Sequence, residues 1–403
     1  MKIALIIKRL NTKGGAQRQI LKLAHELKKR GYDIKLYTFF LDKKECFQEL
    51  FEGLDVVSLS EYNPPPYKGG GLKALFSYLR VLWYENGASK KLAFMIDPDT
   101  DLLHPHDHVM YRVSVYFKKH VKNIPSVWMQ NDMPTRMWSF WRESECKTDM
   151  RLPFIKKMFY WLVDFYEINM FIKKQDDIVV VDFRDEKWVK EYFGMQAYVV
   201  RTGLDIDQFP YRERQPFQNK KIRLLATGIF LVHRRFEDII DAVKKLRETG
   251  YDASLSIIGN PYADREYYQY IKDTIEKLDL GGAVSLLGVV KEEELVSAYY
   301  NHDIFVFPNH LQSWGLAVFE AMATGMPVIV STSAGASEVL TNAKNALFVE
   351  PKHPYQIAEA VKKLVDSPVL YGNVSKQGRV FVEGNISWSK YADQIERIFN
   401  TIL

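Results

Sequence analysis

The sequence predicts an α/β protein made of two doubly wound, Rossmann-like domains. Along the 403 residues, short apolar runs typical of buried parallel strands alternate with segments of helical periodicity. A polar stretch at 207–221 interrupts this alternation, which then restarts. The chain is also too long for one compact domain and long enough for two.

The first half opens with a strand, a helix and a second strand. Residues 3–7 (IALII) form a continuous apolar run, a helix is predicted from Ala16 to Arg30, and a strand follows Gly31. Such a unit implies parallel strands joined by a right-handed crossover. The alternation then continues with predicted helix 72–87, strand 91–96, basic helix 109–122, strands 125–130 and 177–181, helix 185–192 and strand 197–200.

The second half repeats the pattern from residue 222 onward. Its predicted elements are strand 222–227, helix 236–249, strand 254–259, helix 264–278, strand 283–288, helix 292–301, strand 303–308, helix 316–324, strand 327–331 and helix 354–366. An amphipathic helix ends the chain. We therefore expect domains at 1–207 and 208–385 that face each other across a cleft, with helix 386–403 crossing back to the first domain.

Composition narrows the class of protein. The chain is 47% hydrophobic and 26% charged, as soluble globular proteins are. Cys46 and Cys146 lie far apart, which argues against a disulfide framework or a thiolate metal site and fits the cytoplasm. No run approaches the ~20 apolar residues of a membrane-spanning helix.

The charge is uneven along the chain. Residues 1–200 carry 32 Lys and Arg against 25 Asp and Glu, so this half either faces an acidic surface or has ordinary solvated lysines.

The carboxyl ends of the predicted strands carry most of the unusual residues. In open α/β sheets, ligands bind beyond these ends. The residues there are Gly14–Gly15, His106, Asn131–Asp132, Gly228–Arg235, Gly259–Asn260 and Asn309–Gly315. Their common position predicts a ligand-binding cleft.

Two of these loops have the chemistry of a phosphate site. Gly14 and Gly15 would let a phosphate approach the backbone, although a plain tight turn explains them equally well. The spacing is not G-x-G-x-x-G, which counts against a dinucleotide-dependent dehydrogenase. Arg234 and Arg235 follow Gly228, and arginine suits bidentate phosphate contacts. The alternative is that Arg235 or the neighbouring His233 is merely solvated.

A lone carboxylate, Glu320, lies in the otherwise apolar helix 316–324, which Gly325 is expected to close. A carboxylate accepts hydrogen bonds well from vicinal hydroxyls such as those of a ribose. The alternative is an ion pair with a nearby cation at the edge of the core. Gln312 lies eight residues earlier, in the loop before the helix, and is expected to face the same cleft.

Three further segments each allow two interpretations. The histidine-rich run 104–108 (HPHDH) suggests a metal site, but no second cluster completes a tetrahedral set of ligands. Asn131 and Asp132 either orient a hydroxyl or cap a turn. Residues 151–174 have lysines at both ends and aromatics between them, as in an interfacial helix, or they form a core-packed helix with charged ends.

The motifs together resemble the retaining glycosyltransferases of the GT-B fold, in particular family 4. Residues 312–329 read Q-S-W-G-L-A-V-F-E-A-M-A-T-G-M-P-V-I, and the family has E-G-F-G-L-x-x-x-E-A-M-A-x-G-x-P-V-I. Val199, Val200, Gly203 and Asp205 are similar to the family's run before the linker. The resemblance extends nearly end to end and is strongest across 195–350.

This resemblance implies transfer of a hexose or deoxyhexose from a nucleotide-diphosphate sugar to a hydroxyl of a glycan or lipid-linked acceptor, in bacterial surface polysaccharide synthesis. It implies no metal, no other cofactor and no nucleic acid partner. Glu320 would bind the ribose, Arg234 would neutralise the diphosphate, and Gly15 would pass close to the same phosphates. The other implied donor residues are Gly14, Gly228, Gly259, Gln312, Ser313, Trp314, Gly315 and Leu316, and the acceptor side has His106, Asn131 and Asp132.

Three positions depart from the family pattern. Ile229 stands where an arginine is usual, so Arg235 is expected to supply that charge. Gln312 replaces the first glutamate, and Asn131 replaces a histidine. The departures keep one alternative open, a weakly active or inactive sugar-binding subunit. The histidine-rich run 104–108 is the only support for a second alternative, a sugar-nucleotide epimerase. The basic first half also allows a peripheral contact with the inner face of the membrane.

Overall fold

The computed structural model of the protein describes residues 1–66, 71–131, 133, 135, 154–215, 217, 221–311 and 314–402. These residues divide into two compact units. Unit 1 contains the described residues of 1–140 and 152–203 together with those from Trp388 onward, and unit 2 contains those of 204–387. Each unit is a parallel sheet with helices, so the predicted α/β class is confirmed.

Unit 1 is built on seven described parallel strands that pair in two sets. Its strands are β1 (Lys2–Leu10), β2 (Asp33–Leu41), β3 (Asp55–Ser58), β4 (Leu102–Pro105), β5 (Val127–Met129), β6 (Asp177–Val180) and β7 (Tyr198–Val199). They pair in the orders β3-β2-β1-β4 and β5-β6-β7. Parallel bridges from Leu103 to Ser126 and from His106 to Met129 continue the sheet from β4 to β5.

The helices between these strands cover the sheet. They are α1 (Gly15–Lys29), α2 (Gly71–Ala93), α3 (Tyr111–His120), α4 (Phe154–Met170) and α5 (Phe183–Trp188). The strand predicted at 91–96 is wrong. Residues 91–93 instead finish α2, because Leu92 packs in the core one helical turn after Ala88.

Unit 2 repeats the doubly wound arrangement around β8. Its strands are β8 (Lys221–Thr227), β9 (Asp252–Ile258), β10 (Val284–Gly288), β11 (Ile304–Phe307), β12 (Val328–Ser331) and β13 (Leu347–Val349), in the order β10-β9-β8-β11-β12-β13. Its helices are α6 (Phe236–Glu248), α7 (Arg265–Lys277), α8 (Glu292–Asn301), α9 (Leu316–Ala323), α10 (Pro354–Asp366) and α11 (Pro368–Asn385). The order places the carboxyl ends of β8 and β11 side by side.

The last helix, α12 (Trp388–Ile402), packs within unit 1. Arg30 beyond α1 donates to Asp393 at 2.6 Å, and the Tyr32 hydroxyl donates to Glu396 at 2.7 Å. The buried face of α12 includes Tyr391. Helix α12 therefore joins unit 1 through both polar and apolar contacts. Among the described residues, no helix is both long and apolar enough to cross a bilayer.

Candidate functional site

Helix α9 is preceded by Gly315, and the backbone angle and the neighbouring side chains at this position require a glycine. Gly315 has φ +89°, and a Cβ there would stand 2.9 Å from the ring of Phe307 in β11. Trp314 is buried and its ring packs 4.6 Å from that of Phe319, which anchors the preceding loop. Among the described residues, no side chain caps the start of the helix at Leu316. The backbone of this turn therefore offers amide donors of the kind that bind anions.

The end of α9 has the predicted glycine closure. Gly325 has φ +81°. Its N–H donates to Met322 O at 3.0 Å, and Met326 N–H donates to Ala321 O at 3.0 Å. This pair of bonds is the Schellman arrangement, and it fixes the length of the helix that carries Glu320.

Glu320 is held by a buried tyrosine. The hydroxyl of Tyr299 in α8 donates to Glu320 Oε2 at 2.8 Å. Burial, followed by the Glu320 charge, raises the pKa of Tyr299 well above its usual value, so the phenol remains a donor. Glu320 itself is only half-buried. One carboxylate oxygen is thus fixed inside the unit while the side chain still reaches its surface.

Arg234 lies across Gly228. A Cβ on Gly228, which has φ +150°, would stand 3.2 Å from Arg234 Nε and 3.3 Å from its Cζ. The glycine therefore makes room for the guanidinium stem directly after β8. The structure brings these two predicted residues together at the carboxyl edge of the sheet.

Gly259 has a packing role that the sequence did not indicate. A Cβ at this position would overlap the carbonyl oxygen of Gly228 and stand 2.6 Å from its carbonyl carbon. The Gly228 N–H also donates to Ile258 O at 2.9 Å. The loops after β8 and β9 are therefore in backbone contact, and Gly259 acts through that contact.

Arg235 does not supply the charge predicted for it. Its Nε and Nη2 donate to Asp238 at 3.0 and 2.6 Å, and its Nη1 lies 2.7 Å from Glu237. Both carboxylates are buried in the first turn of α6. Phe236 N–H donates to the Tyr267 hydroxyl, also in that turn. The guanidinium is therefore balanced within the unit, and the start of α6 is already occupied by acidic groups.

Gly14 and Gly15 lie at the start of α1, after β1. Gly14 has the extended φ of −140°, and neither glycine has a positive φ. A Cβ on Gly15 would meet no described atom within 4 Å. Because neither backbone is left-handed, the turn itself does not require glycine at these two positions. The uncovered backbone at Gly15 is accessible to a ligand.

His106 is not available at the surface, contrary to its predicted acceptor role. It is fully buried, and its ring lies 4.3 Å from that of His104. Neither of its ring nitrogens has a hydrogen-bond partner in the part of the chain that the structure describes. Burial lowers the pKa of His106 well below its usual value and that of His104 to about 4. These two side chains are neutral core residues.

Asp107 is the residue that this loop presents instead. Asn131 Nδ2, after β5, donates to Asp107 Oδ1 at 2.8 Å. Asp107 has φ +67° and Val109 has φ +79°, and such a backbone is strained, above all for a β-branched valine. Burial also raises the pKa of Asp107. The sequence run HPHDH pointed to this loop but favoured the wrong side chain.

Three predicted residues, Gln312, Ser313 and Asp132, lie outside the described residues. Asn309, which begins the predicted strand-end loop after β11, is buried. Its Nδ2 has no hydrogen-bond partner among the described residues. The sequence indicated Asn309 only by its place at a strand end. Among the described residues, no group of three or more His, Cys, Asp or Glu side chains is arranged to hold a metal ion.

Comparison with known families accounts for both units. The family 4 glycosyltransferase model matches residues 13–208, and the group 1 glycosyl transferase model matches residues 207–381. The chain belongs to the family 4, group 1 glycosyltransferases. The predicted family is therefore confirmed, and the motif from Gln312 to Glu320 lies within the part matched by the second model.

Curated relatives of this glycosyltransferase extend along nearly its whole length. It is 22% identical to mannosylfructose-phosphate synthase of Agrobacterium fabrum, covering 95% of this chain and 85% of the relative. Human alpha-1,3/1,6-mannosyltransferase ALG2 is 22% identical, with 97% and 94% covered. D-inositol 3-phosphate glycosyltransferase of Corynebacterium diphtheriae is 23% identical, with 96% and 89% covered.

Solved structures agree with the fold. A glycosyltransferase from Rickettsia africae has a TM-score of 0.72 to this glycosyltransferase at 16% identity, over 99% of this chain and 98% of that one. Anabaena HepE, solved in complex with UDP and glucose, has a TM-score of 0.72 at 14% identity, over all of both chains. These likenesses confirm the predicted GT-B fold.

Proposed function

We propose that this protein is a retaining glycosyltransferase that moves a hexose or deoxyhexose from a nucleotide-diphosphate sugar to a hydroxyl, in the synthesis of a bacterial surface polysaccharide. The observation that carries the proposal is the carboxyl edge of the unit 2 sheet. There a carboxylate held by a buried tyrosine, Glu320, and an arginine laid over a glycine, Arg234, follow neighbouring strands. The complex of HepE with UDP and glucose supports a nucleotide-sugar donor.

In this proposal Glu320 binds the ribose of the donor. A carboxylate can accept hydrogen bonds from two vicinal hydroxyls at once. Tyr299 holds one of its oxygens at 2.8 Å, so less side-chain freedom is lost when the ribose binds. The burial of Tyr299 keeps this support rigid.

Arg234 balances the charge of the leaving diphosphate. The reaction forms a bond between the sugar C1 and the acceptor oxygen and breaks the bond from C1 to the phosphate oxygen, which leaves with the electron pair. Charge therefore grows on the phosphate, and preorganised donors that face it lower the barrier. The amides at the start of α9 beside Gly315 add to Arg234. The donor site proposed in this way uses no metal and no other cofactor.

Unit 1 takes the acceptor, a hydroxyl of a glycan or of a lipid-linked glycan. Asn131 and Asp107 are the polar side chains that its strand ends bring together. We assign them to positioning that hydroxyl, in place of the buried His106. The leaving phosphate accepts the proton of the attacking hydroxyl on the same face of the sugar, which accounts for retention without an enzyme nucleophile.

Nucleotide binding tests the donor assignment. We expect one of UDP, GDP, dTDP or CMP to raise the melting temperature, since a ligand at 1,000 times its dissociation constant adds about 4 kcal/mol of stability. Arg234→Ala should abolish most of this shift. The matched control is Arg247→Ala, because Arg247 lies at the end of α6 and pairs with Asp252 at the start of β9. An equal shift in the wild type and in Arg234→Ala would reject the phosphate assignment.

Turnover separates transfer from the two alternatives. A sugar-binding subunit would show the nucleotide-dependent shift but release no nucleoside diphosphate from any sugar nucleotide. An epimerase would convert a sugar nucleotide into a second one without an acceptor. The burial of His104 and His106 places in the core two of the three histidines on which the epimerase alternative rests.

A further inference from the structure

Helix α4 is inverted relative to an ordinary surface helix. Its buried residues are Tyr160, Asp164 and Glu167, two of which are acidic. Eight large apolar or aromatic side chains are exposed on it, and they are Phe154, Ile155, Met158, Trp161, Leu162, Phe165, Tyr166 and Met170. A soluble helix normally faces the core with its apolar stripe. Residues 154–170 present that stripe outward.

Buried polar contacts fix this orientation. Glu167 accepts hydrogen bonds from Arg112 Nε at 3.0 Å and from the Tyr111 hydroxyl at 3.0 Å. Arg112 is itself buried in α3. Rotating α4 to bury its aromatic stripe would break this pair and leave the Arg112 charge uncompensated, which is costly in a protein interior. The outward apolar stripe is therefore a fixed property of the folded unit.

Helix α2 extends the same surface. Phe76, Leu79 and Trp83 are 68%, 43% and 80% exposed. Tyr78 contacts the ring of Phe159 at 6.2 Å and that of Tyr160 at 5.8 Å, so the two helices lie side by side. Between them runs a groove of about 400 Å³ lined mostly by apolar side chains. We call the exposed apolar residues of α2 and α4 the apolar face. Contiguous apolar surface of this kind marks an interaction site.

The exposed charges on the described residues of helices α2 and α4 have one sign. The acidic residues of the two helices are Glu85, Asp164 and Glu167, and all of them are buried. The exposed charged residues of α2 and α4 are basic, and Lys173 and Lys174 directly after α4 are exposed too. The exposed cations of α2, α4 and residues 173–174 are Lys73, Arg80, Lys90, Lys91, Lys157, Lys173 and Lys174.

We propose that the apolar face docks on the surface of an anionic lipid bilayer. Trp and Tyr side chains partition to the interface between lipid and water, and flanking lysines add attraction to anionic headgroups. A second copy of this chain fits less well, because a symmetric dimer would bring two cationic rims together. The inference rests on unit 1 alone and does not depend on the donor chemistry proposed for unit 2.

Vesicle flotation of the full-length protein tests this docking. The probes are vesicles of phosphatidylcholine alone and of phosphatidylcholine mixed with phosphatidylglycerol. We expect flotation with the anionic vesicles that falls as salt is added, since salt screens the headgroup attraction. The combined variant Trp83→Ser, Trp161→Ser and Phe165→Ser should lower the bound fraction at least about tenfold. Exposed side chains are replaced, so the fold should survive.

A matched control changes as much exposed apolar surface elsewhere. Tyr262, Tyr355 and Val369 of unit 2 are 73%, 63% and 74% exposed, and replacing all three with serine should leave flotation unchanged. Equal losses in both combined variants, or no flotation of the wild type, would overturn the proposal. So would a wild-type dimer in sedimentation velocity that the apolar-face variant dissociates, with no vesicle binding.

Nucleotide binding in the same samples separates this proposal from the proposed function. Retained nucleotide-dependent stabilisation without flotation would reject docking and leave the transferase assignment standing. Flotation without any nucleotide-dependent stabilisation would support docking and reject the transferase assignment. Lys91→Glu with Lys157→Glu should weaken binding to anionic vesicles alone, and an equal loss on neutral vesicles would contradict the electrostatic part of the argument.

Discussion

The hydrogen bond from Tyr299 to Glu320 gives the sharpest single test of the donor site. Replacing Tyr299 with phenylalanine removes one oxygen and keeps the ring, which is fully buried. The change leaves Glu320 in place but without the donor that holds its Oε2 at 2.8 Å. The carboxylate then has more conformations to lose when a ribose binds. We therefore expect weaker donor binding with little change in the chemical step.

The size of the effect of Tyr299→Phe follows from the charge of Glu320, which accepts the hydrogen bond. A hydrogen bond to a charged group contributes about 1.5–3 kcal/mol. Glu320 is half-buried, so water replaces part of the lost bond, and we expect the free energy of unfolding to fall by ~1–2 kcal/mol. Ordering the released carboxylate when the ribose binds costs about 0.5–1.5 kcal/mol of donor affinity. This cost corresponds to a rise of roughly 2–13-fold in the donor KM.

The assay is initial-rate release of nucleoside diphosphate at varied donor concentration. The control is Tyr300→Phe, one residue along the same helix, which loses a hydroxyl bond of 2.6 Å to the Pro210 carbonyl. Tyr300→Phe should leave the donor KM unchanged. A donor KM for Tyr299→Phe within twofold of the wild type would refute the role given to Glu320, as would an equal rise in both variants.

Three further predictions follow from the structure. Arg235→Ala should lower the free energy of unfolding by about 3 kcal/mol in urea titrations, because it leaves buried Asp238 and Glu237 uncompensated, and unchanged stability would contradict the internal pairing. Gly259→Ala should destabilise by about 3 kcal/mol through its overlap with the neighbouring backbone, whereas Gly15→Ala should stay within ~0.5 kcal/mol because its added methyl meets no described atom. Stability should also fall in acid: His104 has a folded-state pKa of about 4 against an ordinary 6.5, so its contribution is present above that ordinary pKa and is lost as pH falls between the two. The loss is about 1.4 kcal/mol per pH unit, and a flat profile between pH ~6.5 and ~5 would contradict it.

Hydrophobic patterning carried most of the fold prediction. Continuous apolar runs such as IALII correspond to strands buried on both faces, and β1 and β8 lie where these runs predict them. The pattern failed at 91–96, where an apolar run continues a helix and its length alone could not decide between the two. It also missed β13, which is only three residues long, and α11, whose glycines lower its helix propensity.

The sequence predicted which loops carry the candidate site, but it did not predict the partners of the individual side chains. The glycines, Arg234 and Glu320 could be picked out because they interrupt expected patterns. The sequence could not distinguish Arg234 from Arg235, since the difference lies in the partners that the fold brings to Arg235. It could not reveal Tyr299, which looks like any core tyrosine. The outward face of α4 likewise depends on Arg112, which is far from Glu167 in sequence.

The central claim is that this chain transfers sugar from a nucleotide-diphosphate donor with Arg234 beside the leaving group. Release of nucleoside diphosphate from a panel of sugar nucleotides, with a glycan acceptor mixture, measures this most directly. We predict release from at least one donor, a loss of about 100-fold or more in kcat/KM for Arg234→Ala, and wild-type rates for Arg247→Ala. No release from any donor, or equal rates in the two variants, would contradict it.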